Sequence, residues 1–255
     1  MTAVLEVDAV SLRFGGLQVL RELSFEVQAG QICALIGPNG AGKTSIFNCV
    51  SRLYRPSAGR IRVNGVDITS IRPHQAVKHR VARTFQNLAL FTSLTVRENV
   101  LCGGYGRTSA GMIAGMFRSR GSRHEEQLLR ADGERILDLV GLTDVADVPA
   151  AELPFGIQKR IELARAVMAR PKLLMLDEPA NGLDSDEVGE LTTKLREIAA
   201  AESLSLLLVE HHIGMVVGLS DHVIVMDLGR KIAEGTPDEV TRNPTVVDAY
   251  LGDSL

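Results

Sequence analysis

No run in the 255 residues stays apolar over the roughly 20 positions that a helix needs to cross a bilayer. Any part the chain plays at a membrane must therefore be shared with another chain. The opening Met1-Thr2-Ala3-Val4-Leu5-Glu6 lacks the basic segment and apolar stretch of a secretory signal, so a cytoplasmic location is expected. Cysteine is scarce: Cys33, Cys49 and Cys102 are odd in number and form no C-x-x-C, which reads as reduced thiols. Cys33 lies in the apolar run 31–36 and Cys49 on a predicted helix face, so both are expected to pack in a core. A basic excess is missing as well. The net charge of −3 argues against a dedicated nucleic-acid binder. Neither an internal repeat nor a low-complexity tail is visible.

What is present is a 45% hydrophobic chain of a length that suits one large α/β domain, or a core with an inserted subdomain. Leu5–Val10 and Val19–Val27 read as strands separated by turns at Gly15-Gly16 and Ala29-Gly30. Arg60–Val63 and Val66–Ile68 flank Asn64-Gly65, a hairpin signal. This points to a small antiparallel sheet beside a core strand, Ile32–Ile36. A helix after Gly42 carries Ile46, Phe47, Val50, Leu53 and Tyr54 at helical spacing, and Pro56 is expected to stop it. Residues 88–169 read as mostly helical, with helices over Gln127–Val140 and Ile157–Ala169. Within this stretch, Gly103–Ser122 reads as a loop with one short helical attempt. Leu173–Leu176, Leu206–Val209 and Val223–Met226 are short apolar runs suited to parallel strands covered on both faces. Helix Val188–Ala200 separates the first two, giving the alternation of a doubly wound sheet. Thr236-Pro237-Asp238-Glu239 is a capping box that opens a C-terminal helix.

Two motifs carry chemistry. Gly37-Pro38-Asn39-Gly40-Ala41-Gly42-Lys43-Thr44 fits G-x-x-x-x-G-K-[ST], follows an apolar strand and opens an amphipathic helix. Its glycines let backbone N–H groups wrap nucleotide phosphates, Lys43 reaches the β- and γ-phosphates, and the Thr44 hydroxyl can bind Mg²⁺. The second motif is the strand 173–176 ending in Asp177-Glu178. Adjacent residues at a strand end diverge, so Asp177 can face the metal through water while Glu178 polarises the water that attacks the γ-phosphate.

On these motifs the chain resembles the ABC ATPases over nearly its whole length. The resemblance implies an α/β P-loop NTPase of ABC type: a mostly parallel core sheet, a small antiparallel β subdomain and an inserted helical subdomain. It implies one domain, with residues 1–86 and 170–235 as nucleotide-binding core, 87–169 as the helical subdomain, and 236–255 as C-terminal helix and tail. Phe14 looks like the aromatic that stacks on adenine. Gln86, in Thr84-Phe85-Gln86-Asn87, resembles the glutamine that joins the nucleotide site to the membrane partner, with roles in catalysis and, beside Thr44 and Asp177, on the metal. Asn181-Gly182-Leu183-Asp184 looks like the D-loop. His211 resembles the histidine that hydrogen-bonds the γ-phosphate; His212 is its neighbour, and the family's placement directly after a strand-ending acid, here Glu210, favours His211.

Where the family signature reads Leu-Ser-Gly-Gly-Gln, this chain has Leu153-Pro154-Phe155-Gly156-Ile157, with proline in place of the serine. The resemblance places that segment against the nucleotide of an opposite subunit. Within the family the chain is most similar to ATPases of branched-chain amino acid importers. The cues are Phe14-Gly15-Gly16, 84–87, the 103–122 insertion, Val209-Glu210-His211 and Ala249-Tyr250-Leu251-Gly252. The resemblance implies ATP and Mg²⁺, a second ATPase subunit (a heterodimer, with a homodimer as the alternative), two transmembrane permease subunits and a solute-binding protein. It implies uptake of a branched-chain amino acid or an amide- or urea-type solute, at the inner face of the cell membrane. An exporter of lipid or lipopolysaccharide is the alternative, and a soluble non-transport ATPase a further one. Met112, Ile113, Met116 and Phe117 beside Arg118, Arg120 and Arg123 read as a surface loop, or else as a contact with a partner or lipid headgroups.

Overall fold

A computed structural model describes residues 2–72, 75, 77–84, 88–107 and 120–251, with backbone alone at 120–123 and 251. Gln86 lies outside the described residues, as do Met112, Ile113, Met116, Phe117 and Arg118. The chain divides into two compact units, Met1–Arg83 with Lys172–Leu255, and Thr84–Pro171.

The first unit holds two sheets. Strands β1 (Ala3–Phe14), β2 (Leu17–Gln28), β4 (Ala58–Val63) and β5 (Val66–Asp67) form an antiparallel sheet in the order β2-β1-β4-β5. Asn64 and Gly65 both take positive φ, 49° and 75°, as a two-residue hairpin turn requires. The second sheet runs β10-β9-β3-β8-β7-β6. Its members are β3 (Ile32–Ile36), β6 (Val81–Arg83), β7 (Leu173–Asp177), β8 (Ser205–Val209), β9 (His222–Asp227) and β10 (Arg230–Gly235). All its pairings are parallel except the β9–β10 edge. Every residue of β3, β7 and β8 is buried, which is why these segments are apolar without alternation. Helix α1 (Lys43–Val50) packs Ile46, Phe47 and Val50 into one core with Leu5, Phe25, Leu35, Leu207 and Ile224.

In the second unit, α2 (Val96–Gly104), α3 (Arg120–Val140) and α4 (Phe155–Met168) pack together. Among the described residues, the first unit also carries α5 (Ser185–Glu202), α6 (Ile213–Leu219), α7 (Pro237–Thr241) and α8 (Pro244–Leu251). The capping box at Thr236 is formed as expected, but it opens only the short α7, and the C-terminal segment is two helices. Among the described residues no helix is long and apolar enough to cross a membrane.

Three expectations are corrected. Helix α1 ends at Val50, six residues before Pro56. Arg52 turns left-handed (φ 65°) and bonds its N–H to the Cys49 carbonyl, leaving Leu53 and Tyr54 exposed rather than on the helix's buried face. Gly103 and Gly104 belong to the last turn of α2 rather than to a loop. A Cβ on Gly103 would lie 2.0 Å from the Arg165 carbonyl oxygen of α4, so close helix packing requires the glycine there. At the insertion's other end, α3 begins at Arg120 rather than near Gln127. Cys33 and Cys49 are fully buried, and burial pushes the Cys49 thiol up to about 11, in keeping with inert core packing.

Candidate active site

The carboxyl ends of β3, β8 and β7, neighbours in that order, carry the phosphate-loop motif, Glu210 with His211, and Asp177 with Glu178. Ligands of open α/β sheets bind outside this edge. The chain leaves β3 at Gly37, whose φ of 147° and approach to the Met226 carbonyl (2.0 Å from an added Cβ) admit no side chain. Gly42 sits at the N-cap of α1 in a left-handed conformation, with no side chain capping the helix. The first-turn amides of α1 thus keep donors without intrahelical acceptors, together with the positive end of the helix dipole. Asn39, Gly40 and Thr44 are exposed at this edge, while Pro38 and Ala41 are buried. Lys43 Nζ donates to the carbonyls of Gly37 (2.6 Å) and Pro38 (2.9 Å). Burial lowers the Lys43 pKa, opposed by the carboxylate of Glu178.

Asp177, 4% exposed, is bonded to a cation that sequence reasoning missed. Arg83 Nη2 donates to Asp177 Oδ2 at 2.6 Å, while Nη1 donates to Asn48 Oδ1 (2.7 Å) and Ser51 Oγ (3.0 Å). The guanidinium also lies 5.5 Å from the centroid of the Phe47 ring. One buried arginine from β6 therefore orients Asp177 and ties it to α1.

Glu178 has φ 50°, a conformation that costs a non-glycine residue about 1 kcal/mol or more. It is held by its N–H to the Val209 carbonyl (2.9 Å) and by the Asn181 N–H to its own carbonyl (3.1 Å). Such strain concentrates at functional positions. Asp184 caps α5, accepting from the Asp186 and Glu187 amides at 3.0 and 2.9 Å in a capping box.

The adjacent histidines differ. Both are exposed, but His212 caps α6, its Nδ1 accepting from the Met215 amide (3.3 Å), whereas His211 directly follows Glu210 after the strand end. Phe14 ends β1 with 47% of its surface exposed, edge-on to Tyr54 at 5.1 Å. Tyr54 is a second aromatic beside the candidate adenine platform, and was missed because it was read as part of α1.

In the second unit, Pro154 is the N-cap of α4, with no side-chain cap, and Phe155 is the helix's first residue. Gln158 closes the segment by donating its side-chain amide to the Leu153 carbonyl (2.9 Å). Phe155 is 46% exposed, with the Lys159 ammonium 5.4 Å from its ring centroid. Leu153 precedes the cap, and Gly156 and Ile157 lie in the helix's first turn, so their amides have no intrahelical acceptor.

Known proteins resemble this chain in sequence and in fold. The family model for the ABC transporter matches residues 20–181, and that for the branched-chain amino acid ATP-binding cassette transporter matches 230–254. The chain is 38% identical over 251 residues to the high-affinity branched-chain amino acid transport ATP-binding protein BraF of Pseudomonas aeruginosa, covering 98% of each. It is 36% identical to LivG of Escherichia coli, again over 98% of each. Among solved structures, it matches the ADP conformation of MJ1267, an ATP-binding cassette of an ABC transporter, with a TM-score of 0.85 at 29% identity. That match covers 99% of this chain and 100% of that one. A nucleotide-free ATP-binding cassette matches at 0.83 and 28%, covering 98% and 99%. Matched over nearly its whole length in both sequence and fold, this chain belongs to the ABC transporter family as one of its ATP-binding, ATP-hydrolysing cassettes.

Proposed function

We propose that the chain powers an importer of a small polar solute, of the branched-chain amino acid class, from the cytoplasmic face of the membrane. The observation that carries this reading is the full-length similarity to BraF and LivG, extended by the separate match at 230–254. The residues fit Mg·ATP. Mg²⁺ in phosphoryl-transfer sites takes one or two protein ligands and completes its shell with phosphate oxygens and water. Thr44 would bind the ion directly and Asp177 through a water, with Gln86, outside the described residues, as a further candidate, and the ion would offset charge on the phosphates. The amides of Gly40–Thr44 and the Lys43 ammonium cradle the phosphates, and Phe14 stacks on the adenine. Glu178 accepts a proton from the water attacking the γ-phosphorus in line, and His211 donates a hydrogen bond to the γ-phosphate.

Two permease subunits, a solute-binding protein and a second ATPase subunit complete the machine in this reading. Gln86 links the nucleotide site to the permease. Uptake of radiolabelled leucine into vesicles containing the co-expressed permease subunits tests the assignment. ATP-dependent, binding-protein-dependent accumulation is expected, and efflux or no leucine movement beside vigorous ATP turnover rejects it.

The signature acts on the opposite subunit's nucleotide. Proline offers neither a hydroxyl nor an N–H, so relative to serine Pro154 removes two donors, while the α4 N-terminus still presents its first-turn amides. A lost charge-assisted bond is worth about 1.5–3 kcal/mol, or about ten- to a hundredfold in rate if felt only in the transition state. In the favoured heterodimer this chain's own site is completed by a partner with an intact signature, and the partner's ATP turns over more slowly. Pro154→Ser, combined with inactivation of each P-loop in turn, should speed only the partner's site. Acceleration at this chain's own site, or at neither, refutes the trans assignment.

A further inference from the structure

Glu210 is almost completely buried, at 1% exposure, yet no side-chain cation is bonded to it among the contacts of the described residues. Its carboxylate is spent on backbone. Oε1 accepts the Ala180 N–H at 2.8 Å, and Oε2 accepts the His211 and His212 N–H groups at 3.0 and 3.1 Å. A carboxylate taken out of water is costly unless it is well bonded, and charge-assisted bonds of this kind are the stronger class. What it joins is specific. Ala180 lies two residues beyond Glu178, in the turn that leaves β7, and His211 begins the turn that leaves β8. These strands are parallel neighbours, with Asp177 opposite Val209. The Glu178 N–H already bonds to the Val209 carbonyl, so the two turns are tied on both sides of the strained Glu178.

We infer that Glu210 is a positioning residue for ATP hydrolysis, bridging the turn that carries Glu178 to the turn that carries His211 so that water and γ-phosphate are addressed from one fixed geometry. The inference rests on the proposed roles of Glu178 and His211. Its two carboxylate oxygens are taken up by the three backbone amides, so it acts through the two turns. In Glu210→Gln the shape is kept, but an NH₂ group must face either the Ala180 donor or the pair of histidine donors, so one side of the bridge opens.

The test is steady-state ATP hydrolysis by the assembled complex carrying Glu210→Gln, His211→Ala, the double variant and Glu178→Gln. For Glu210→Gln the expected result is a kcat lowered about ten- to a hundredfold with an ATP KM within about twofold of wild type. The double variant should fall short of the product of the single effects, since both act through one geometry. A Glu210→Gln loss divided between KM and kcat in step with a lowered melting temperature, or full additivity with His211→Ala, overturns the inference. Where the amide variant does not fold, Glu210→Asp keeps the charge on a shorter stem, and its loss must likewise fall in kcat. If Glu178→Gln and His211→Ala leave kcat unchanged, the catalytic reading itself fails. If both lower kcat while the Glu210 variants do not, only the bridge is wrong.

Discussion

Glu178→Gln should bind ATP with near wild-type affinity and turn it over about a hundredfold to ten-thousandfold more slowly, the range spanned by loss of a general base. The amide preserves the side chain's volume and leaves Gly37–Thr44 intact, but it cannot take a proton from water. The backbone supports this division of labour: Glu178 is held left-handed by bonds from its own N–H and carbonyl, which the substitution does not touch. ATP-bound dimers should accumulate, visible as a nucleotide-dependent shift in size on gel filtration. Phosphate release near the wild-type rate would remove Glu178 from its role.

The second large effect is on stability, in the helical unit. Asp132 on α3, 5% exposed, accepts from Arg107 Nη1 (2.9 Å), Arg135 Nη2 (3.0 Å), and Arg170 Nε (3.0 Å) and Nη2 (2.8 Å). Burial pushes its pKa up, but the hydrogen bonds from Arg170, Arg107 and Arg135 outweigh that and hold it down at about 2. Asp132→Asn leaves the three cations without their shared anion. Breaking a buried ion pair costs about 3–5 kcal/mol, and the partly exposed arginines bring this toward about 2–3 kcal/mol through solvent screening. The melting temperature should fall by roughly 5–10 °C. Because the folded pKa lies below the unfolded value of about 3.9, the stabilisation is complete above that pH and is lost as pH falls toward 2. The gap between wild type and Asp132→Asn should therefore close in acid, as followed by circular dichroism melts from pH 7 to pH 2.5. A gap that is small at neutral pH, or one that persists in acid, would contradict the assignment.

These two sites differ in how far the sequence disclosed them. The phosphate loop is legible because backbone geometry fixes its glycines: Gly37 has no room for a Cβ, so the spacing to Lys43 and Thr44 is a physical requirement visible as a pattern. Strand β7 is legible because burial on both faces demands an unbroken apolar run up to Asp177. Arg83 is not. It lies on a three-residue strand, and its partners Asn48, Ser51 and Asp177 are remote in sequence, so nothing local distinguishes it from a surface arginine. Asp132 is hidden for the same reason, with partners spread from Arg107 to Arg170.

Local signals also misled. Two consecutive glycines lower helix propensity, so 103–104 read as a loop, yet the packing of α2 on α4 requires the missing side chain at Gly103. Leu53 and Tyr54 continue the apolar spacing of α1, but the chain turns at Arg52, a residue with no special tolerance for positive φ. Beside His211, Glu210 read only as a marker for its neighbour; its own bonds to backbone amides carry no sequence pattern.

Phosphate release from Mg·ATP by the chain assembled with its membrane partners, measured beside Lys43→Ala and Glu178→Gln, tests the central claim most directly. The account predicts steady ATP hydrolysis in the wild type, loss of both nucleotide binding and turnover in Lys43→Ala, and binding without turnover in Glu178→Gln. Wild-type release no faster than that of either variant would contradict it.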